Sequence, residues 1–375
     1  MFGDKVGHLG RVGSLTLAQR VSAMFSRGEP GAWYDPSDMS TLFQDNAGTV
    51  PVTAVGQPVG FILDKRRGLA RSPLSIVGKT AGDGVVTVVG NVITVTGGTS
   101  STDVSFSNAF SFTLLDLTFS AANGITVYAG GYPSMATAGR NTYRGAVGIY
   151  NIIRVPAGAP TTTITVHDAY NIIGNHATQA TATARPVLQQ DGNGKYYLAF
   201  DGVDDALQTG NIDFTGTDKM TVVAGVLSNL NGYSNILELG PNSVSENGFS
   251  LQRGWAANGD YAGTAYGTSL GYGYTSNFAA PDTSVIAAQY DIAQASVAGG
   301  EISFRRNGVV SAKAETQGSA GTGNFSQKPL YIGSRAGTSL RFNGRIYSLI
   351  VRGAQTPLSQ IEATERYIKQ KMGLP

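Results

Sequence analysis

The stretch Phe342-Asn343-Gly344-Arg345-Ile346-Tyr347-Ser348-Leu349-Ile350-Val351-Arg352 reads as one strand with two apolar faces. Side chains alternate along a strand, which puts Ile346, Ser348 and Ile350 on one face and Tyr347, Leu349 and Val351 on the other. A strand of this kind has to be covered on both sides. A helical pattern follows at 357–372, with Pro357 at a favourable first position, Leu358, Ile361, Ile368 and Met372 as its apolar stripe, and Gly373 as its stop. The helix covers one face of the strand, and a second sheet must cover the other. These demands predict a two-sheet sandwich with a terminal helix laid on it.

The remaining chain supplies the strands. Val85–Val89 and Val92–Val95 flank a Gly90-Asn91 turn, and 186–190 and 195–200 flank Asp191-Gly192-Asn193-Gly194, both hairpin signals. Further strands are expected at 110–119, 125–128, 147–155, 161–167, 220–227, 236–239, 285–290, 302–305 and 330–333. Only 14 % of the residues are charged, against about 25 % in an ordinary soluble domain. The 50 glycines suit many short strands and tight turns.

Several functions find no support. Lys65-Arg66-Arg67 is the only tight basic run, so no nucleic-acid partner is expected. No window approaches the ~20 apolar residues of a membrane span, and Met1 to Val12 lacks the apolar core of a secretory signal. The absence of cysteine excludes disulfides and thiolate chemistry. Residues 1–30 carry one apolar stripe, Leu17, Val21, Met24 and Phe25, which Ser14 would cap. That stripe either docks on the chain's own sandwich or forms an assembly arm for a neighbouring subunit.

Trp33-Tyr34-Asp35-Pro36-Ser37-Asp38, Phe200-Asp201-Gly202-Val203-Asp204-Asp205 and Asn343-Gly344-Arg345-Ile346-Tyr347 resemble motifs of bacteriophage structural proteins with a laminin-G-like, concanavalin-A-like sandwich. In that family the segment ending in Leu63-Asp64-Lys65 runs almost directly into Gly174-Asn175-His176-Ala177-Thr178-Gln179. Here more than a hundred residues intervene. The resemblance implies an all-β fold: a sandwich from 31–65 and 174–375, split by an inserted β jelly roll or sandwich at 66–173. The insert is similar to carbohydrate-binding-module-like jelly rolls. Insertion is tolerated at exposed loops whose ends lie close together, so residues 32–64 should pack against 174–356 and not against the insert.

Chemistry is sparse. His8, His167 and His176 have no metal spacing, and a structural role at a strand start is expected for His176. Asp35, Asp38 and Asp45 read as capping and turn residues. Asp201, Asp204 and Asp205 form the best carboxylate group, read as a turn, with calcium as the lesser alternative. Glu238 and Glu246 look isolated, and no Glu-x-Asp-x-Glu run or nucleophile elbow is evident. The expectation is therefore no catalytic residue, no metal, no cofactor and no enzyme.

One region stands out. Trp255, Tyr261, Tyr266, Tyr272, Tyr274 and Phe278 are separated by small polar residues. Aromatic rings stack on sugar faces, Tyr-rich segments also suit protein interfaces, and a long loop plus an ordinary strand with half its aromatics buried is the plain alternative. Tyr128, Tyr132 and Tyr143 form a second, weaker set. The expected function is a virion surface component (decoration, collar, fibre or tail), made in the host bacterial cytoplasm. Its partners would be other virion proteins, further copies of itself as a trimer, and a host surface glycan. A dedicated carbohydrate-binding adhesin is the alternative, and a polysaccharide hydrolase a third.

Overall fold

The computed structural model describes residues 16–107, 112–146, 148, 150–254, 258–294, 300–311 and 321–375. It is nearly all β, with antiparallel sheets and two short α-helices, α1 (Leu17–Ala23) and α2 (Leu358–Met372).

The body is a sandwich of two sheets. The eight-stranded sheet runs Val187–Gln190, Tyr196–Asp201, Asn343–Arg352, Lys219–Ser228, Asp282–Asp291, Ile302–Arg306 and Val309–Val310, with Gly31–Tyr34 also paired to Asn343–Arg352. The nine-stranded sheet runs Leu42–Phe43, Phe61–Ile62, Ala177–Thr178, Leu207–Asp213, Gln327–Ile332, Ser234–Leu239, Phe249–Arg253, Tyr261–Tyr266 and Leu270–Tyr274. Their facing sides share one core, in which Val222, Ala224, Ile286, Leu349 and Val351 meet Leu237, Leu239, Phe249, Leu251 and Leu330.

The 343–352 strand is central, as expected, but its alternation is broken. Gly225 pairs with Ser348 and Val226 with Ile346, so Tyr347 is skipped in a bulge. An extra residue on one strand reverses the facing of everything beyond it. Ile346 therefore joins Leu349 and Val351 in the inter-sheet core, and Tyr347 joins Ile350 under the helices. The bulge lies where α2 comes closest: a Cβ on Gly225 would meet the Ile368 and Met372 side chains.

Pro357 is the N-cap of α2, and Gly373 closes it at φ +69°. Leu358, assigned to the apolar stripe by spacing, is 56 % exposed. The buried face is Ile361, Tyr367, Ile368 and Met372, with Glu365 bound by Arg305 through two oxygens at 3.0 and 3.1 Å. The N-terminal stripe packs on the same layer. Val21, Met24 and Phe25 are buried with Trp33, Tyr367 and Met372, and Leu17 packs against them. Arg352 holds this segment by donating to Met24 O at 2.7 Å and pairing with Glu29 at 2.7 Å. Of the two readings of the stripe, the structure has it docked on its own chain. Thr16 caps α1 in a capping box with Gln19; the expected cap, Ser14, lies outside the described residues.

Residues from Arg71–Pro73 to Thr162–Ile172 build two further antiparallel sheets, of five and six strands, around a separate core that includes Val104, Leu115, Leu117, Val127, Ile153 and Ile164. The two halves of the body meet beneath this insert. Phe61–Ile62 pairs with Ala177–Thr178, and Asp64 accepts from the Trp33 and Asn175 backbone N–H groups, each at 2.9 Å. The expectation that residues 32–64 avoid the insert needs correcting. Phe43, Phe61 and Leu63 form an apolar cluster with Phe112, Tyr170 and Ile172 of the insert.

Candidate functional site

The aromatic-rich region holds two paired strands where a long loop plus one strand was the plain expectation. Tyr261–Tyr266 and Leu270–Tyr274 pair in register as the last two strands of the nine-stranded sheet. Alternation then divides its tyrosines. Tyr261 points into the sandwich, fully buried, with its hydroxyl donating to Asp282 at 2.8 Å and the Arg253 guanidinium 4.6 Å from its ring centre. Burial pushes its phenol far above the usual value. Tyr266, Tyr272 and Tyr274 lie on the opposite, outer face; Tyr266 and Tyr272 are half-buried and Tyr274 is 9 % exposed. Burial also raises the Tyr272 phenol. Trp255 lies outside the described residues. Phe278 packs beneath Arg306, 3.7 Å from its ring centre.

The outer face continues inward from Tyr272 as a row of polar side chains. The register Tyr331↔Glu238↔Ser250↔Thr264↔Tyr272 crosses five strands. Glu238, Ser250 and Thr264 are fully buried. The loop at 240–248 covers them: Ser243 Oγ is 3.0 Å from Thr264 Oγ1, and its N–H donates to Glu238 at 2.9 Å. Ser250 and Thr264 share a hydrogen bond at 2.6 Å. Arg335 donates to both Glu238 oxygens at 3.1 Å, and Asn235 Nδ2 donates to one of them. A buried carboxylate survives only when paired and hydrogen-bonded in this way. Arg335 also reaches Tyr233, whose phenol is raised by burial.

Glu238, which looked isolated in the sequence, is thus the hub of this network. Asn235 and Ser243 are close to it in the chain, but its charge partner Arg335 lies 97 residues further on, so no local spacing reveals the pair. Glu246 pairs with Lys328 at 3.2 Å. Two oxygens of the network, Asn235 Oδ1 and Gln252 Oε1, meet no donor among the described residues, and their residues are direct cross-strand partners. Native interiors leave few such atoms unpaired, and departures from full satisfaction concentrate at functional positions.

The other expected groups lie elsewhere. The carboxylates of Asp201, Asp204 and Asp205 come within 4.8 Å of one another. They close their own turn: Asp201 Oδ1 accepts from Val203 N–H at 2.7 Å and Asp205 Oδ2 from Asp201 N–H at 2.9 Å. Burial, with the charges of Asp201 and Asp204 adding to it, pushes Asp205 up to about 6. His176 is half-buried; its Nδ1 accepts from Asp64 N–H at 3.0 Å, and Nε2 donates to Ile172 O at 2.9 Å. Burial lowers its pKa. In the insert, Tyr143 is in the core, against Phe119. Tyr128 sits beside Tyr150 at 5.7 Å, and Tyr132 is 36 % exposed.

No family model matches the sequence, and no curated protein matches it. Solved structures share the β-sandwich fold. The chain is similar to a Trypanosoma rangeli sialidase in complex with the inhibitor DANA at 10 % identity and a TM-score of 0.38, covering 78 % of this chain and 53 % of that one. It spans about half the length of that sialidase. It is similar to the CBM40 of a Ruminococcus gnavus IT-sialidase, bound to alpha2,3 sialyllactose, at 14 % identity and a TM-score of 0.31, covering 42 % of this chain and 97 % of that one. The receptor-binding domain of botulinum neurotoxin type G matches at 12 % identity and a TM-score of 0.32, covering 51 % and 48 %. At these identities and TM-scores the likeness assigns this chain no activity or ligand. The expectation of no enzyme is withdrawn, the sialidases among these structures being enzymes.

Proposed function

We propose that the protein is a bacteriophage virion surface component that contacts a host-surface glycan through the outer face of its nine-stranded sheet. The observation that carries the glycan reading is the shared exposure of Tyr266 and Tyr272 beside the Tyr331–Glu238–Ser250–Thr264 row. Tyr rings offer a flat apolar surface to a sugar face, and each brings a hydroxyl that can hydrogen-bond. The sheet beneath is rigid, held by an Arg335–Glu238 pair, so the rings are displayed on a fixed platform.

The virion reading rests on the likeness of the Trp33–Asp38, Phe200–Asp205 and Asn343–Tyr347 motifs to phage structural proteins. It brings with it further copies of the chain, expected as a trimer, and neighbouring virion proteins as partners. Antibody labelling of intact particles tests the location: surface label supports it, and label absent from particles removes it. A glycan array probed with the full chain tests binding. The adhesin alternative is favoured if a glycan binds strongly while particles assemble normally without the protein.

A further inference from the structure

A second site lies where the body meets the insert. A cleft of about 420 Å³ opens between them, within the size range of small-molecule sites. The body contributes Phe43 and Leu63; the insert contributes Phe112, Leu114 and Ile172. The strand Phe112–Phe119 explains the apolar wall. Its Leu115, Leu117 and Phe119 fill the insert's own core, and Phe112 and Leu114 on the other face point to the body. Phe43, Phe61 and Phe112 pack edge and tilt against one another at 5.1 to 5.8 Å, which fixes the floor.

The rim is basic. Arg71 stacks 4.1 Å from the centre of the Tyr170 ring and pairs with Asp168 at 3.0 Å. Arg144, paired in register with Leu114, also lines the cleft. No acidic partner meets it among the described residues. The nearby Asp116 is already engaged by Arg140, at 2.7 and 3.0 Å. Arg71 and Arg144 thus line the same apolar cleft, and of the two Arg71 alone has a carboxylate partner among the described residues.

We propose that this cleft binds an amphipathic anion: an apolar body seated on Phe43, Leu63 and Phe112, and one carboxylate, sulfonate or phosphate held by Arg144. Arginine is suited to planar, charge-assisted recognition of such groups. Because the walls come from both units, an occupant also fixes the insert against the body.

The test is a fluorescence titration of the full chain with 8-anilinonaphthalene-1-sulfonate, an apolar anion. One saturable site per chain is expected. Arg144→Gln should weaken it about tenfold or more, the loss of a charge-assisted hydrogen bond, and Leu63→Trp should block it by filling the cleft. Arg154→Ala, outside the cleft and paired with Asp103, should leave it unchanged. The uncharged N-phenyl-1-naphthylamine, titrated into the unaltered protein, should bind about tenfold more weakly or worse; this arm needs no variant to fold. Equal affinity for the charged and neutral probes, binding unaltered by Arg144→Gln and Leu63→Trp, or no saturable binding would each overturn the proposal.

Discussion

The backbone N–H of Asp64 donates to Nδ1 of His176, 112 residues further along, at 3.0 Å. The Asp64 carboxylate meanwhile accepts from the backbone of Trp33, Arg66 and Asn175 and pairs with the Arg66 guanidinium at 2.9 Å. One residue thus ties the first strand of the body, the exit into the insert and the return from it. Removing one partner of a buried ion pair costs about 3–5 kcal/mol. Asp64→Ala is expected to destabilise the chain by about that much in urea unfolding. A loss under about 1 kcal/mol would show that the strand pairings hold the halves together unaided.

His176 gives the body a pH dependence. Its ordinary value is 6.5, and burial lowers it in the fold. The unfolded chain then binds the proton more readily than the folded one, so stability is present above about pH 6.5 and falls as the pH drops below it. Thermal unfolding from pH 8 to 5 checks this, roughly across that window. His176→Gln should flatten the slope.

Asp205 acts in the opposite sense. Its folded value is pushed up to about 6 from an ordinary 3.8. Its contribution is fully present below the unfolded value and is lost as the pH rises through about 6. Asp205→Asn, which keeps an acceptor for the Asp201 N–H, should therefore raise the unfolding midpoint at neutral pH. That gain should shrink as the pH approaches 4, roughly the unfolded value. An NMR titration of the carboxyl gives the value directly.

Gly225 is required by the approach of α2. Gly225→Val should cost about 1–3 kcal/mol, the usual penalty of overpacking, because Ile368 and Met372 occupy the space. Gly210→Ala, with nothing within 4 Å of the added atom, is the control and should be near neutral.

Most strands of the eight-stranded sheet and the α2 helix are legible in the sequence because alternation, turn dipeptides and the Pro357 and Gly373 boundaries are local signals; Ile76–Ala81, Thr102–Phe106, Gly139–Gly145, Leu207–Asp213, Phe249–Arg253, Tyr261–Tyr266 and Leu270–Tyr274, rich in Gly, Thr and Ser, are not. The facing of Ile346 and Tyr347, in the first half of the 343–352 strand, is not legible because a bulge opposite Gly225–Val226 is a property of the pair and not of one strand. The same limit hid the site. Tyr266 and Tyr272 were visible as residues, but their common face with Glu238 and Thr264 depends on pairings across five strands. Tyr261 was grouped with them by proximity in the chain, and the period of two along a strand sends it to the core. Arg71 and Arg144, far apart in the chain, line one cleft only because the insert docks on the body, which no local pattern encodes.

The claim that the outer sheet face binds glycan is tested most directly by titrating a glycan found on the array against the unaltered protein, Tyr272→Ala and Tyr266→Ala. Loss of a stacked ring removes about 1 kcal/mol or more, fivefold or greater in affinity. The account predicts that loss for each variant, with unfolding midpoints unchanged. Affinity that survives in both would contradict it and place any glycan site elsewhere on the chain.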